Sequence, residues 1–262
     1  MNCRSTPIVL MLALSNRYTA TPALTGDSPA VDSIRKKRQQ FHDIAHSPSE
    51  AATVPAITAH EIPPGHPPFT PRQVVLFSGH MIDSPARRIP RFPAKREAIA
   101  ATEIGAALDR LHVGSHDLAL AQAACGGDLL FLEACQARGL RLQVLLPFEE
   151  VEFIKRSVIA AADGDTWHQR YFAVTRSLGD DLRIMPDELG PSPSPHGHRE
   201  DDNFAHCNLW LLHTALAWGA DKLRFLCLWD GSSDGPGGTA QMYDQVRRYT
   251  NRICWIDTRT LW

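Results

Sequence analysis

The sequence predicts an α/β fold: a doubly wound, mostly parallel, Rossmann-like sheet of five or six strands with helices on both faces. Two observations predict it. Short apolar runs alternate with longer stretches of helical periodicity over residues 71–262, as in right-handed βαβ units. Three of these apolar runs are followed by glycine-rich turns, which are common where a strand gives way to a helix. We therefore divide the chain of 262 residues into a domain at 71–262 and an N-terminal segment at 1–70.

The first half of the domain supplies three strands separated by two helices. In the first helix, Ile99, Ile104 and Leu108 fall on one side, which is the spacing of a helix with one buried face. Gly139 ends the second helix, and Pro147 ends the third strand. In chain order, the predicted elements are the strand Val74–Phe77, the helix Lys95–Leu111, the strand Leu118–Ala121, the helix Leu129–Ala137 and the strand Leu142–Leu146.

The second half continues the alternation with three more strands and four helices. Gly219 closes the longest helix, and the chain ends soon after the last strand. In the common doubly wound strand order, the first strand lies beside the point where the order reverses. We therefore expect the first strand of this chain to lie near the centre of the sheet. The predicted elements are the helices Phe153–Ala161 and Trp167–Arg176, the strand Leu182–Met185, the helix Phe204–Trp218, the strand Arg224–Trp229, the helix Ala240–Tyr249 and the strand Cys254–Asp257.

Residues 1–70 are expected to form a largely irregular tail or connector. Pro, Ser, Thr and Ala dominate this segment, and Pro63–Pro68 cannot continue a helix or a central strand. The apolar run Pro7–Leu14 imitates a signal peptide but is too short to span a bilayer. We interpret it as a short buried strand or the remnant of an upstream module. The basic run Arg35–Arg38 is interpreted as a solvated helix face.

Charge and cysteine content argue against several classes of function. A formal net charge of -2 gives no general attraction to a polyanion, so nucleic-acid binding is not expected. The six cysteines show no Cys-x-x-Cys spacing and lie mostly in apolar runs. This pattern indicates reduced thiols in a cytoplasmic protein, and neither a disulfide framework nor a zinc knuckle. No membrane partner, cofactor or metal is predicted, and assembly into a homo-oligomer is left open.

The three glycine-rich turns are the strongest sequence signal of function. A helix that starts after such a turn presents backbone N–H groups and the positive end of its dipole, which suit a phosphate. Glycine also lets the backbone approach a ligand where a side chain would collide. We therefore expect a nucleotide-type small molecule here, with Gly79 and Gly127 as ligand positions and not only turn formers. The predicted ligand-binding residues are Ser78, Gly79, His80, Gly126, Gly127, Asp128, Gly235, Gly237, Gly238 and Thr239.

Three motifs in residues 73–262 resemble the SLOG superfamily. They are Ser78–Asp83 (SGHMID), Ala124–Phe131 (ACGGDLLF) and Asp234–Thr239 (DGPGGT). This superfamily is a Rossmann-like group that contains LOG-type phosphoribohydrolases, the DNA-processing protein Smf/DprA and nucleotide-sensing domains. The chain is similar to a bacterial subgroup of uncharacterised domains within it. The resemblance implies a nucleotide-binding domain with a signalling role.

The sequence departs from LOG-type enzymes where their catalytic acid lies. Those enzymes carry P-G-G-x-G-T-x-x-E after the fourth strand, and this glutamate works with an arginine to cleave an N-glycosidic bond. Here the corresponding segment is Ile184–Pro191, which lacks the G-x-G-T core. The leading hypothesis is therefore a nucleotide-binding or sensing domain, and the alternative is a nucleosidase or nucleotide phosphoribohydrolase. In an enzyme, His80, Asp83 or Glu133 would replace the missing acid.

NAD, calcium and zinc sites are each suggested by one pattern and disfavoured by its context. Gly235–Ala240 fits a dinucleotide fingerprint with Asp257 as its ribose acid, but too few strands follow. Asp230–Gly235 imitates the start of a calcium loop, but Gln241 stands where the bidentate glutamate belongs. The candidate zinc ligands lie in or beside a proline-rich loop, where histidines are common and free. They are His196, His198, Asp201, Asp202, His206 and Cys207.

Overall fold

The structure is a computed structural model that describes residues 69–190, 200–233 and 237–262. All of these residues belong to one unit, Gly65–Trp262. The predicted irregular connector at 1–70 lies outside the described residues, apart from Phe69 and Thr70, so its structure stays a prediction.

Six parallel strands form a single sheet. Numbered along the chain, they are β1 (Val74–Gly79), β2 (Leu118–Ala121), β3 (Arg141–Leu146), β4 (Leu182–Ile184), β5 (Leu223–Trp229) and β6 (Ile253–Asp257). Their order across the sheet is β4-β3-β2-β1-β5-β6, and β1 pairs with both β2 and β5. The predicted α/β class with a Rossmann-like parallel sheet is therefore confirmed, and the first strand lies near the centre as predicted.

Helices connect successive strands, as a parallel sheet requires. The described helices are α1 (Glu97–Arg110), α2 (Gly127–Ala137), α3 (Glu150–Phe153), α4 (Gly164–Thr175), α5 (Met185–Leu189), α6 (Glu200–Leu216), α7 (Thr239–Val246) and α8 (Thr258–Leu261). Short 3-10 turns precede α1 and β4. None of the helices in the described part of the chain is long and apolar enough to cross a membrane.

Two hydrophobic cores lie on opposite faces of the sheet. Successive side chains of a strand point to opposite faces, so Val75 and Phe77 of β1 pack in one core, whereas Val74 and Leu76 pack in the other. The first core also contains buried residues of α1, α2 and α4, and the second contains those of α6 and α7. Because β1 is buried on both faces, it forms a rigid base for the loop that follows it.

Several element boundaries differ from the sequence-based expectations, among them those at Met185, Phe153–Ala161 and Tyr249. Met185, expected at the end of a strand, begins α5, where Pro186 is tolerated because the first turn of a helix needs no N–H from it. The helix expected at Phe153–Ala161 is a short α-helical turn that continues as π-helix over Ile154–Val158, a change of period that apolar spacing does not reveal. The last long helix ends at Val246 rather than at Tyr249.

Candidate functional site

A cavity of about 340 Å³ opens at the carboxyl ends of the central strands. The chain runs from β1 outward to β4 and then returns to the other side of β1 as β5, so the topology reverses between β1 and β5. Ligands of open α/β sheets bind at such a switch point. The volume is at the lower end of the range of small-molecule sites, roughly 300–1,000 Å³. We therefore take this cavity as the candidate site.

Most of the predicted ligand-binding residues line this cavity. They are Ser78, Gly79, His80, Asp128, Gly237, Gly238 and Thr239. Gly126 and Gly127 do not line it, and Gly235 lies outside the described residues.

Gly126 and Gly127 allow the loop after β2 to lie in close contact with the loop after β1. Gly126 has a φ of +102°, and a Cβ there would lie 2.6 Å from the backbone nitrogen of Ile82. A Cβ on Gly127 would lie 3.2 Å from the Cα of Gly79. Two backbones meet here, which explains both glycines without a ligand.

The N-terminus of α2 uses its N–H groups within the protein. Gly127 N donates to the carbonyl of His80 at 3.0 Å, and Leu129 N donates to that of Ala124 at 3.2 Å. The expectation that this turn offers unpaired donors to a phosphate therefore does not hold at these two positions. The second glycine turn contributes the side chain of Asp128 to the cavity instead.

The third turn offers a different kind of helix terminus. Gly237, Gly238 and Thr239 line the cavity where α7 begins, and the first turn of α7 carries no acidic residue and no side-chain cap. Ser78 Oγ donates to Thr239 Oγ1 at 3.2 Å, which joins this turn to the end of β1. The positive end of the α7 dipole thus faces the cavity at the switch point.

Two arginines of the loop between β1 and α1 line the same cavity. Arg87 and Arg91 are held by Asp83, whose carboxylate accepts from the backbone N–H groups of Arg91 and Phe92, each at 3.0 Å. Arg87 Nε also lies 3.4 Å from Asp83. Burial and the nearby charge of Arg87 lower the pKa of Arg91. Two guanidiniums that repel each other favour an anion between them. Asp83 therefore organises the loop that presents both cations.

His80 forms a pair with Asp230 at the end of β5. His80 Nε2 accepts from the backbone N–H of Asp230 at 3.2 Å and lies 3.1 Å from its carboxylate. Burial and the charge of Arg91 lower the pKa of His80, so the ring is neutral at pH 7. Burial alone would raise the pKa of Asp230, but hydrogen bonds from the hydroxyl and the backbone N–H of Ser232 contribute to lowering it to about 2.

Asp128 is the buried acid of the cavity. Asp128 lines the space, and the residue is only 8% exposed. Burial raises its pKa to about 7, although the backbone N–H groups of Ala124, Ala123 and Gly79 act in the opposite direction. The bond from Ala124 N measures 3.2 Å. This carboxyl therefore exchanges its proton near neutral pH, which its helix-terminal position alone does not reveal.

Asn208 and Gln122 form a polar wall that the sequence analysis did not assign to the site. Asn208 of α6 is 4% exposed, and its amide donates to the carbonyl of Gly237 at 3.0 Å. Its oxygen accepts from Gln122 Nε2 at 3.0 Å. A polar residue within the apolar run that follows Phe204 was the available signal. The pair ties the end of β2 to the third glycine turn across the cavity.

Three acids in candidate positions do not line the cavity. Glu133 does not line the cavity. The guanidinium of Arg170 in α4 donates to both of its carboxylate oxygens, at 2.7 and 2.6 Å. Glu188 of α5 is held in the same way by Arg183, at 2.9 and 2.8 Å. Asp257, the candidate ribose acid, caps α8 and pairs with Arg259.

Metal sites receive no support from the part of the chain that the structure describes. Its residues contain no group of three or more His, Cys, Asp or Glu side chains that could hold a metal ion. His196 and His198 lie outside the described residues, as do Asp234 and Gly235 of the calcium-like loop. The described cysteines form no disulfide, and four of the five are buried, in keeping with the predicted reduced thiols.

Comparisons with known proteins add no assignment. No protein-family model matches the chain, and a search of curated proteins finds no match. The resemblance to the SLOG superfamily therefore stays a prediction, and the function is argued from the geometry of the cavity.

Proposed function

We propose that the cavity binds a nucleotide or a nucleotide-derived ligand through its phosphate, and that the domain acts as a sensor of this ligand. The observation that carries the proposal is that the start of α7, Arg87 and Arg91 all line one cavity at the switch point of the sheet. A helix N-terminus and two guanidiniums are both donors that favour a phosphate, and the guanidinium fork matches its geometry. These groups come from separate loops, so a bound anion would tie the loops together.

The rest of the cavity suits the uncharged part of such a ligand. Phe204 and Trp229 line it and offer apolar ring surfaces, while Gln122 and Asn208 supply amide groups. Pockets for small molecules combine an apolar lining with a few positioned polar groups. The volume of about 340 Å³ favours a mononucleotide-sized ligand over a dinucleotide.

A second candidate, cleavage of an N-glycosidic bond, is favoured by one observation. Asp128 places a carboxyl with a pKa of about 7 in the cavity, and a general acid works best with a pKa near the working pH. Asp128 would then replace the missing glutamate of the LOG-type motif, in a role that the sequence analysis gave to His80, Asp83 or Glu133.

The arginines give a direct test of the proposal. We expect Arg87→Ala and Arg91→Ala each to weaken mononucleotide binding by roughly 10- to 100-fold, because a hydrogen bond to a charged group is worth about 1.5–3 kcal/mol. Arg88→Ala is the matched control, since Arg88 is exposed in the same loop and does not line the cavity. Calorimetry with a panel of mono-, di- and cyclic nucleotides measures the effect. Equal affinities of all three variants and the parent would contradict the proposal.

We further expect that AMP is bound without release of adenine. A LOG-type reaction needs a carboxylate and an arginine fixed around the glycosidic bond, and Glu188 is instead paired with Arg183. Chromatography of the binding mixtures detects any free base. Adenine release above the uncatalysed rate that disappears in Asp128→Asn, but persists in Glu188→Gln, would favour the second candidate.

A further inference from the structure

Charge is unevenly distributed along the cavity. The start of α7 follows β5, and Arg91 interacts with the charge of Asp230 at the end of β5, whereas Asp128 follows β2 on the other side of β1. Adjacent strands are about 4.8 Å apart, so the ends of β2 and β5, on either side of β1, are separated by about 10 Å. A ligand anchored by its phosphate near α7 therefore reaches Asp128 with a different part of its structure.

Asp128 differs from the other buried acid in the described part of the chain. Asp117 is buried too, but the guanidinium of Arg72 lies 2.6 Å from its carboxylate. For Asp128, the described residues supply hydrogen bonds from backbone N–H groups and no ion pair. A buried carboxyl that lacks a cation costs free energy in the folded state. The cavity thus contains an acceptor whose free-energy cost the described fold alone does not explain.

The chemistry of Asp128 restricts what it contacts. An ionised carboxylate only accepts hydrogen bonds, and its charge disfavours a second phosphate next to it. Gln122 and Asn208, which also line the cavity, already bond to each other. Hydroxyl or amino donors of a ligand's uncharged part are the groups that complement this carboxylate.

We propose that Asp128 recognises hydrogen-bond donors in the uncharged part of the phosphorylated ligand, either the sugar hydroxyls or a base amino group, and so determines which ligand the cavity selects. This inference rests on the proposed function, because it takes the phosphate to be held by the arginines and α7. The two donor sources share one chemistry and differ in where they lie on the ligand. Pairs of ligands that differ in one of these donors show which donor Asp128 contacts.

The experiment is calorimetric titration of the whole chain with two pairs of probes. Ribose 5-phosphate against 2-deoxyribose 5-phosphate tests the sugar hydroxyl, and AMP against IMP tests the base amino group. We expect the parent protein to prefer the donor-bearing member of one pair by roughly tenfold, and Asp128→Asn to reduce that preference to about twofold or less. Asp109→Asn, an exposed carboxylate paired with Arg138 outside the cavity, is the charge-matched control and keeps the preference.

Each outcome decides the inference. A preference within one pair that is lost only in Asp128→Asn supports it and identifies the donor. Equal affinities within both pairs in the parent protein, or a preference that survives in Asp128→Asn, overturns it while leaving phosphate binding intact. If neither these probes nor inorganic phosphate bind, the proposed function itself fails. Thermal unfolding of each variant, recorded beside the titrations, shows that loss of preference does not come from loss of fold.

Discussion

Asp128→Asn is expected to stabilise the folded protein at pH 8, by up to about 4 kcal/mol. The pKa of Asp128 rises from 3.8 to about 7 on folding, chiefly because of burial, and each pKa unit corresponds to about 1.36 kcal/mol. Between these two values the folded chain holds more protons than the unfolded chain, so stability falls as the pH rises from about 4 to about 7. Asparagine does not titrate, so the variant lacks this fall. Denaturant unfolding at pH 4, 6 and 8 measures the difference.

Asp117→Asn provides the opposite case. Burial alone would raise the pKa of Asp117, but Arg72, the N–H of Gly114 and the amide of Gln73 lower it overall. Its contribution to stability is therefore present at neutral pH and is lost as the pH falls through the depressed pKa. We expect Asp117→Asn to destabilise at pH 8 by about 1–3 kcal/mol, since it leaves buried hydrogen bonds incomplete. If Asp128→Asn destabilises at pH 8 as well, Asp128 is a structural acceptor rather than a group kept for a ligand.

The fold could be predicted from the sequence because each central strand is an apolar run that needs burial on both faces. Val74–Phe77 contributes to both cores, and a central strand covered on both sides buries all four residues. Met185 begins α5 instead of ending the fourth strand. The only local sign of this difference is Pro186, and a count of apolar residues does not take it into account. Periodicity therefore predicted the layers better than it predicted the ends of the elements.

The polar part of the site could not be predicted in the same way, because its partners are distant in sequence. Gln122 and Asn208 meet across 86 positions, and Glu133 meets Arg170 across 37. Only the folded arrangement shows that Glu133 pairs with Arg170, whereas Asp128 has no ion pair among the residues that the structure describes. The glycine turns did indicate the correct edge of the sheet, although two of their glycines serve contacts between loops.

Gly126→Ala is expected to destabilise the protein by more than about 3 kcal/mol. The residue has a φ of +102°, which disfavours any side chain, and the added Cβ would lie 2.6 Å from the backbone nitrogen of Ile82. Backbone cannot rotate away as a flexible side chain does, so the loop after β1 must shift. Gly114→Ala is the matched control, because no atom lies within 4 Å of its added Cβ and its φ is not positive. This control should stay within about 0.5 kcal/mol of the parent in thermal or denaturant unfolding.

A substitution at Gly127 distinguishes between two reasons for a glycine at this turn: close approach of a ligand, and close contact between two loops. If Gly127 is a ligand position, as the sequence analysis predicts, Gly127→Val should abolish nucleotide binding with only a modest loss of stability. The contacts lead us to expect otherwise: the added Cβ lies 3.2 Å from both Gly79 Cα and the carbonyl oxygen of His80, so the change strains the loop contact itself. Stability and affinity should then fall together, because His80 and Gly79 line the cavity. A Gly127→Val protein with an unchanged melting temperature and no nucleotide binding would show that the ligand, and not the loop contact, requires this glycine.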